Sequence, residues 1–303
     1  MTTNTSDASR TTTPAPAAYT TNSVTSRDGT TISYRQLGHG PGVVLLHGAM
    51  ETAQSHMQLA EALADAFTIY LPDRRGRGQS GPNGANYSMQ TEVDDLDALL
   101  TQTGAHNVFG VSAGGLIALQ AALMLPTIRK LALYEPALIV HGSISTTFLA
   151  RYDREMAQGK VAAALVTGMK GAQMGPPIFN AMPRWLLESF TKMGMKQEDE
   201  NAQPGDVTMR MLAPTLHYDF QIVNEMADAH ERFRAVQTET LLLGGGKSPR
   251  YLKLALDTLE KTLPHAQRIE FPGLNHGGSS DASATNRGGQ PALVAHALRR
   301  FFA

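Results

Sequence analysis

The sequence contains no cysteine among its 303 residues, which excludes thiol nucleophiles, disulfides and cysteine-based metal sites. It also has no excess of one charge, since 26 Lys and Arg residues face 27 Asp and Glu residues and leave a formal net charge of -1. Basic stretches that would bind nucleic acid are missing, and no apolar run reaches the roughly 20 residues that span a bilayer. These absences predict a soluble protein with no nucleic-acid partner and no membrane span.

The first 18 residues have almost no large apolar side chains and are rich in Thr, Ala, Ser and Pro. Such a composition is typical of a disordered segment, because it offers too little apolar surface to form a core. The segment also lacks the apolar central region of a secretory signal. We therefore expect residues 1–18 to form a disordered tail and the protein to be cytoplasmic.

The most informative stretch of the chain is residues 110–114, which read Gly-Val-Ser-Ala-Gly. An apolar, β-prone segment at residues 107–109 precedes it and a helix-prone run at residues 116–124 follows it. Strand, sharp turn and helix is the setting of a nucleophile elbow, in which a strained turn exposes the hydroxyl of Ser112. The alternative is an ordinary strand-to-helix turn with Ser112 as a cap, and only the wider context decides between the two.

Short apolar strands alternate with helical segments along most of the chain, which predicts the α/β fold class. The pattern begins with a hairpin over residues 23–37 around the turn dipeptide Asp28-Gly29. Predicted strands follow at residues 42–46, 68–71, 107–109, 131–134, 240–243 and 268–271. Predicted helices cover residues 57–66, 91–100, 116–124, 250–263 and 291–302.

Residues 136 to about 237 interrupt this alternation. Helical stretches at residues 148–158 and 160–169 occur there without an intervening strand, and the segment holds the only tryptophan, Trp185, and most of the methionines. We interpret residues 136–237 as an inserted helical cap. The remaining residues, 19–135 and 238–303, then form the core.

Four motifs occur in an order that resembles the α/β-hydrolase superfamily, and the resemblance covers nearly everything after the tail. They are Leu46-His47-Gly48 after a buried strand, the run Asp-Arg-Arg-Gly-Arg-Gly-Gln-Ser at residues 73–80, the elbow at Ser112, and Gly273-Leu274-Asn275-His276 after the last strand. The resemblance implies a mostly parallel central sheet flanked by helices. It also implies catalytic groups on loops at the carboxyl ends of the strands.

For a member of that superfamily, Ser112 is the expected nucleophile and His276 the expected base. A serine hydroxyl attacks a carbonyl near neutral pH only if an adjacent imidazole removes its proton. His276 lies in a Gly-rich loop after the last predicted strand, where the superfamily carries its catalytic histidine, and the order of serine before histidine agrees.

The oxyanion of the reaction needs backbone N–H groups that point at the developing charge. By the same resemblance, one comes from Ala113, directly after the nucleophile, and the other from Ala49 in the turn that follows the first buried strand. Met50 is the alternative to Ala49. His47, at the start of this turn, is expected to support it.

The catalytic acid departs from the commonest pattern of the superfamily. The loop after residues 240–243 reads Gly-Gly-Gly-Lys-Ser-Pro and offers no carboxylate. Some members instead carry the acid after the strand that follows the nucleophile helix, and there this chain has Glu135. We expect Glu135 to orient His276, with Asp281 as the reserve. The structural alternative for Glu135 is a pairing with a surface arginine at the start of the cap.

Two further motifs are interpreted as structural. Residues 246–248 read Gly-Lys-Ser, like the end of a phosphate-binding loop, but the first glycine of that pattern would fall at Leu241, inside a predicted strand. Residues 73–75 read Asp-Arg-Arg and suggest an anion site, yet hydrogen bonds from nearby backbone amides to Asp73 explain the motif more simply.

Ser112 narrows the range of possible reactions. Dehalogenases and typical epoxide hydrolases of this architecture use an aspartate nucleophile, so both lose support. We predict a serine hydrolase that cleaves carboxylic esters, lactones or thioesters through an acyl-enzyme, with a carboxylesterase as first choice. The alternatives are a carbon–carbon bond hydrolase and a ligand-sensing member with little turnover. No metal, cofactor or particular oligomeric state is predicted. An apolar pocket for a small acyl substrate is expected from the cap methionines and from cap aromatics that include Phe148, Phe179, Trp185 and Phe190. The alternative is that these residues simply pack the cap onto the core.

Overall fold

The computed structural model describes residues 18–175, 178–283 and 285–303, so the predicted tail lies outside the described residues except for its last position. The strands are β1 (Thr20–Thr25), β2 (Thr31–Gly38), β3 (Gly42–Leu46), β4 (Thr68–Pro72), β5 (Asn107–Val111), β6 (Lys130–Tyr134), β7 (Glu239–Gly245) and β8 (Ala266–Phe271). The core helices are α1 (Met57–Glu61), α2 (Met89–Thr103), α3 (Ser112–Met124), α10 (Arg250–Thr262) and α11 (Pro291–Phe302). Between β6 and β7 lie α4 (Leu149–Ala157), α5 (Val161–Gly171), α6 (Ile178–Ala181), α7 (Arg184–Asn201), α8 (Met209–Leu212) and α9 (Leu216–Glu225).

The strands form one eight-stranded sheet in the order β1-β2-β4-β3-β5-β6-β7-β8. The predicted hairpin is present: β1 and β2 pair antiparallel, and Gly29 in the turn has a positive φ of 88°. β2 also pairs antiparallel with β4, whereas every pairing from β4 through β3 to β8 is parallel. The predicted α/β class, with a mostly parallel sheet flanked by helices, is confirmed.

The parallel strands are apolar throughout because helices cover both faces of the sheet. In β3, Val44 and Leu46 point into the apolar cluster on one face, and Val43 and Leu45 into the cluster on the other. α3 is similarly enclosed, with every residue from Ala113 to Ala122 buried. The carboxyl ends of β3, β5 and β6 consequently emerge side by side from a rigid core.

The prediction of a single helix over residues 57–66 is wrong beyond Glu61. From Leu63 to Ala66 the chain continues in turns, because the N–H groups of Leu63, Ala64 and Ala66 bond to carbonyls three residues back rather than four. α2 is longer than predicted. It begins after the capping residue Ser88 and ends at Thr103, before Gly104, whose φ is 67°.

The regular elements described between β6 and β7 are all helical, as the sequence predicts for the cap. Parts of this segment pack into the main apolar cluster, among them Leu138, Phe233 and Val236. The division into a cap at 136–237 and a core at 19–135 and 238–303 therefore stays a prediction. Among residues 18–175, 178–283 and 285–303, no helix combines the length and apolar character needed to cross a bilayer.

A buried ion-pair network joins the cap helix α9 to the loop after β4. Asp219 of α9 bonds to Arg74 at 2.9 Å and to Arg77 at 2.6 Å, and Arg74 also pairs with Glu92 at 2.7 Å. Asp73, which precedes this loop, accepts hydrogen bonds from backbone N–H groups of residues 53 and 79. The structural interpretation of the Asp-Arg-Arg motif is thus confirmed.

Candidate active site

Ser112 lies at the junction of β5 and α3 with a positive φ of 52°, a strained conformation for a residue with a side chain. The turn is tight because its glycines touch other backbone. A Cβ atom on Gly110 would lie 2.6 Å from the Gly114 carbonyl oxygen, and one on Gly114 would lie 2.4 Å from the His47 carbonyl oxygen. The predicted strand, turn and helix are all present, and the turn holds Ser112 at the wall of a cavity.

His276 and Glu135 meet at the same end of the sheet. The Nδ1 atom of His276 lies 2.7 Å from Oε2 of Glu135, whose side chain is fully buried. Since a carboxylate only accepts hydrogen bonds, Nδ1 carries the proton and Nε2 is the basic nitrogen. Glu135 follows β6 directly and has a φ of 47°, so its backbone is strained like that of Ser112.

The structure does not bring Asp281 to His276. Its Oδ1 atom accepts a hydrogen bond from the N–H of Gln58, at the start of α1, over 2.9 Å. Burial raises the pKa of Asp281, while hydrogen bonds from backbone N–H groups and the charge of His56 oppose that rise. Asp281, the reserve candidate, therefore links the His276 loop to α1. The carboxylate that contacts His276 is that of Glu135.

The two glycines that end β7, Gly244 and Gly245, make room for Glu135. The Gly245 N–H donates to Oε1 of Glu135 over 2.6 Å. A Cβ atom on Gly244 would lie 3.3 Å from the same oxygen, and one on Gly245 would lie 2.4 Å from the Leu274 carbonyl oxygen. In the sequence, residues 244–249 stand out only as a loop without a carboxylate. The glycines are themselves a signal, because they leave space and a backbone N–H for the Glu135 carboxylate.

The turn after β3 is organised around His47, which is fully buried. The Arg74 N–H donates to Nε2 of His47, so Nδ1 carries the proton and donates to the Gly48 carbonyl over 2.9 Å. Burial, together with the nearby charges of Arg77 and Arg74, holds the pKa of His47 well below its usual range. His47 is therefore a neutral support of the turn, in the place where the sequence predicts one.

Ala49, Met50 and Ala113 all line the cavity that contains Ser112. Met50 has a φ of 57°, so the turn after His47 holds a non-glycine residue in the left-handed region. The assignment of Ala49 and Ala113 as oxyanion donors stays a prediction, with Met50 as the alternative to Ala49.

The cavity has a volume of about 770 Å³ and contains Ser112 and His276 in its wall. Cap residues supply much of the apolar lining, in particular Leu165, Met169, Met174, Phe190, Met209 and Leu216. Tyr251, which sequence reasoning missed, lines the same cavity. Its pKa is raised by burial and by the charge of Glu135, so the phenol stays protonated.

Of the four cap aromatics that the sequence suggests for the pocket, Phe190 lines the cavity and the other three lie elsewhere. Trp185 is 68% exposed, and Phe148 packs edge-on against Phe220 with ring centroids 4.7 Å apart. Phe179 lies beside Gly175. The expectation that Trp185 helps to form the pocket is therefore wrong. It failed because a helical pattern alone does not show which side of an exposed helix faces the core.

Comparison with known proteins gives one family and several relatives. The model of the "Alpha/beta hydrolase family" matches residues 43–287. An alpha/beta hydrolase structure from Sphaerobacter thermophilus is 30% identical with a TM-score of 0.74, covering 93% of this chain and 100% of that one. An esterase structure from Thermogutta terrifontis shares the fold at 19% identity and a TM-score of 0.66, covering 94% and 98%. The hydrolase YraK of Bacillus subtilis is 34% identical over 125 residues, which span 38% of this chain and only 45% of that protein.

Proposed function

The chain belongs to the alpha/beta hydrolase family, and we propose that it is a serine hydrolase that cleaves carboxylic esters through an acyl-enzyme with a Ser112-His276-Glu135 triad. The observation that supports this most strongly is the 2.7 Å contact between His276 Nδ1 and the buried Glu135 carboxylate, beside a cavity that also contains Ser112. A buried carboxylate that holds an imidazole in this tautomer prepares its other nitrogen to accept a proton.

The proposed reaction has two symmetrical halves. As Oγ of Ser112 bonds to the ester carbonyl carbon, its proton passes to Nε2 of His276, and Glu135 stabilises the resulting imidazolium. The imidazolium then protonates the leaving alcohol as the ester C–O bond breaks. A water molecule then loses a proton to Nε2 as its oxygen bonds to the acyl carbon. The bond from that carbon to Oγ breaks as Nε2 returns the proton to Oγ, which releases the acid and restores Ser112.

Two backbone N–H groups would stabilise the tetrahedral oxyanion in each half. The N–H of Ala113, at the start of α3, and that of Ala49 are the proposed donors. One such donor typically contributes about 3–4 kcal/mol of transition-state stabilisation. The strained φ at Met50 is consistent with a turn that is held open for this purpose.

The lining of the cavity favours an apolar acyl ester as substrate. A volume of about 770 Å³ falls within the range of about 300–1,000 Å³ that is common for small-molecule sites. Methionine side chains adapt to irregular shapes, which suits acyl chains of several lengths. Lactones and thioesters pass through the same kind of tetrahedral intermediate and belong to the same proposal.

The test is turnover of p-nitrophenyl acetate, butyrate and octanoate by the wild type and by Ser112→Ala. We expect hydrolysis by the wild type and its loss in the variant, with an unchanged thermal unfolding midpoint. Hydrolysis by Ser112→Ala at the wild-type rate would overturn the proposal. Absence of turnover on a wide acyl panel by the wild type would favour the ligand-sensing alternative instead.

A further inference from the structure

Glu51 places a carboxylate at the edge of the proposed oxyanion site. Its Oε2 atom accepts a hydrogen bond from the Gly48 N–H over 2.7 Å, three residues back along the turn. The carboxylate also lines the cavity, with 20% of its side chain exposed. The point that a Cβ atom on Gly48 would occupy lies 3.0 Å from Glu51 Oε2 and 3.1 Å from Ser112 Cβ. An uncompensated negative charge at this place would oppose the formation of an oxyanion on the substrate.

His56 supplies the compensating charge. It lies just before α1, is 2% exposed, and places Nε2 3.1 Å from Oε2 of Glu51. Burial alone would lower the pKa of His56, but the charge and hydrogen bond of Glu51, with a smaller effect of Asp281, raise it above its usual value. The pKa of Glu51 is lowered to about 2 by the charge and hydrogen bond of His56, against the effect of burial. These opposite shifts favour an ionised pair, in which the two charges cancel.

The Glu51 carboxylate joins three separate segments. Its donors are Gly48 in the turn, His56 before α1, and Ser280, whose hydroxyl donates to Oε1 over 2.6 Å. Ser280 lies four residues after His276, in the same loop. The Asp281 N–H bonds to the carbonyl of residue 55 and fixes this loop further. Glu51 is thus the side chain through which the oxyanion turn and the loop of the proposed base are held at a fixed separation.

We propose that Glu51 is a positioning residue of this active site, and that the protonated His56 cancels its charge beside the oxyanion. The proposal rests on the serine-hydrolase function given above. It makes catalysis depend on a second histidine that never touches substrate. When His56 loses its proton, the turn acquires a net negative charge, and its repulsion of the nearby oxyanion is expected to lower kcat by about 10- to 100-fold.

The charges that act on His56 define how the site responds to pH. Glu51 acts from the oxyanion turn and Asp281 from the loop of His276, and both favour the protonated form. Glu61 of α1 acts on Asp281. The kcat of the wild type should fall at alkaline pH as His56 becomes neutral.

Two variants separate the charge of the pair from its geometry. Glu51→Gln keeps an acceptor for the Gly48 N–H without a charge, so the alkaline fall in kcat should disappear. His56→Gln leaves Glu51 uncompensated, so kcat near pH 8 should already be about 10- to 100-fold lower, with little change in KM. Glu231→Gln is the matched control, because it removes an exposed carboxylate that pairs with Arg234. Its profile should follow that of the wild type.

A titration of the His56 imidazole by heteronuclear NMR gives a reading that does not depend on activity. We expect a pKa above the usual value of about 6.5 in the wild type and a lower pKa in Glu51→Gln, where only the smaller effects of Asp281 and of the Ser279 backbone still oppose burial. The proposal is overturned if the two pKa values agree, if the wild type shows no alkaline fall in kcat, or if both variants lose activity equally at every pH. Failure of the serine-hydrolase function would show instead as ester hydrolysis that survives Ser112→Ala.

Discussion

Glu135 combines a fully buried carboxylate with a left-handed backbone directly at the end of β6. Both oxygens have partners, one in the Gly245 N–H and one in His276. A strained residue of this kind persists only where its surroundings fix it, and such residues concentrate at functional sites. The geometry at this position is therefore the strongest residue-scale support for the proposed triad.

The acid assignment leads to a prediction for Glu135→Gln. The amide preserves the shape and can accept from the Gly245 N–H, but it presents NH₂ to His276 and favours the wrong tautomer. We expect kcat for p-nitrophenyl butyrate to fall by up to about 10⁴-fold, with the thermal unfolding midpoint little changed. Near-normal turnover by a folded variant would remove Glu135 from the triad and direct attention to Asp281.

A functional residue could be predicted when a short stretch of sequence around it marks it. Ser112 and His276 lie in short patterns next to predicted strands, so their placement beside one cavity could be expected from the sequence. Glu135 was expected because the family resemblance allows an acid directly after β6 and the loop after β7 offers none. Glu51 could not be found, because its partner Ser280 is 229 positions away and only the folded chain brings them together.

At the scale of elements, α7 of the cap shows what helical patterning leaves open. Trp185 and Phe190 lie on the same helix and are 68% and 49% exposed, yet of the two only Phe190 lines the cavity. The apolar side chains of α7 extend around more of its circumference than the buried face alone requires. Which of them line the site is determined by how the helix packs on its neighbours, and this cannot be inferred from spacing.

Substrate preference should follow this division. Phe190→Ala enlarges the cavity, so the ratio of kcat/KM for octanoate over acetate p-nitrophenyl esters should change several-fold, since buried methylene groups contribute about 0.8 kcal/mol each. Trp185→Ala is the control on the same helix and should leave the ratio as in the wild type. Equal effects of the two changes, or none from Phe190→Ala, would contradict the assignment of Phe190 to the acyl pocket.

For the whole molecule, the sheet brings distant segments to one edge. The alternation of strands and helices predicted an α/β protein, but the order β1-β2-β4-β3-β5 requires chain crossovers that no local pattern specifies. The ion pairs of Asp219 with Arg74 and Arg77 likewise link α9 to a loop more than 140 positions earlier. The Asp-Arg-Arg motif drew attention to this loop. The sequence could not show that Asp219 is the partner of its arginines, because the two segments lie far apart along the chain.

The Asp219 network should stabilise the attachment of α9 to the core. Asp219→Asn leaves the buried Arg77 without its carboxylate partner, while Arg74 keeps Glu92. Loss of one partner of a buried ion pair typically lowers the free energy of unfolding by about 3–5 kcal/mol. Chemical denaturation of the variant measures this loss. Glu231→Gln, which removes one side of an exposed pair, should leave the midpoint unchanged. A midpoint for Asp219→Asn equal to that of the wild type would show that the network adds no stability.

The central claim is that Ser112 is a nucleophile activated by His276 and Glu135, and covalent labelling tests it most directly. The protein is incubated with a fluorophosphonate, and the modified peptide is identified by mass spectrometry. We predict a single phosphonyl group on Ser112, with labelling far slower in Glu135→Gln and absent in His276→Ala. An unlabelled Ser112 in the folded wild type, or labelling that proceeds equally fast without His276, would contradict the account.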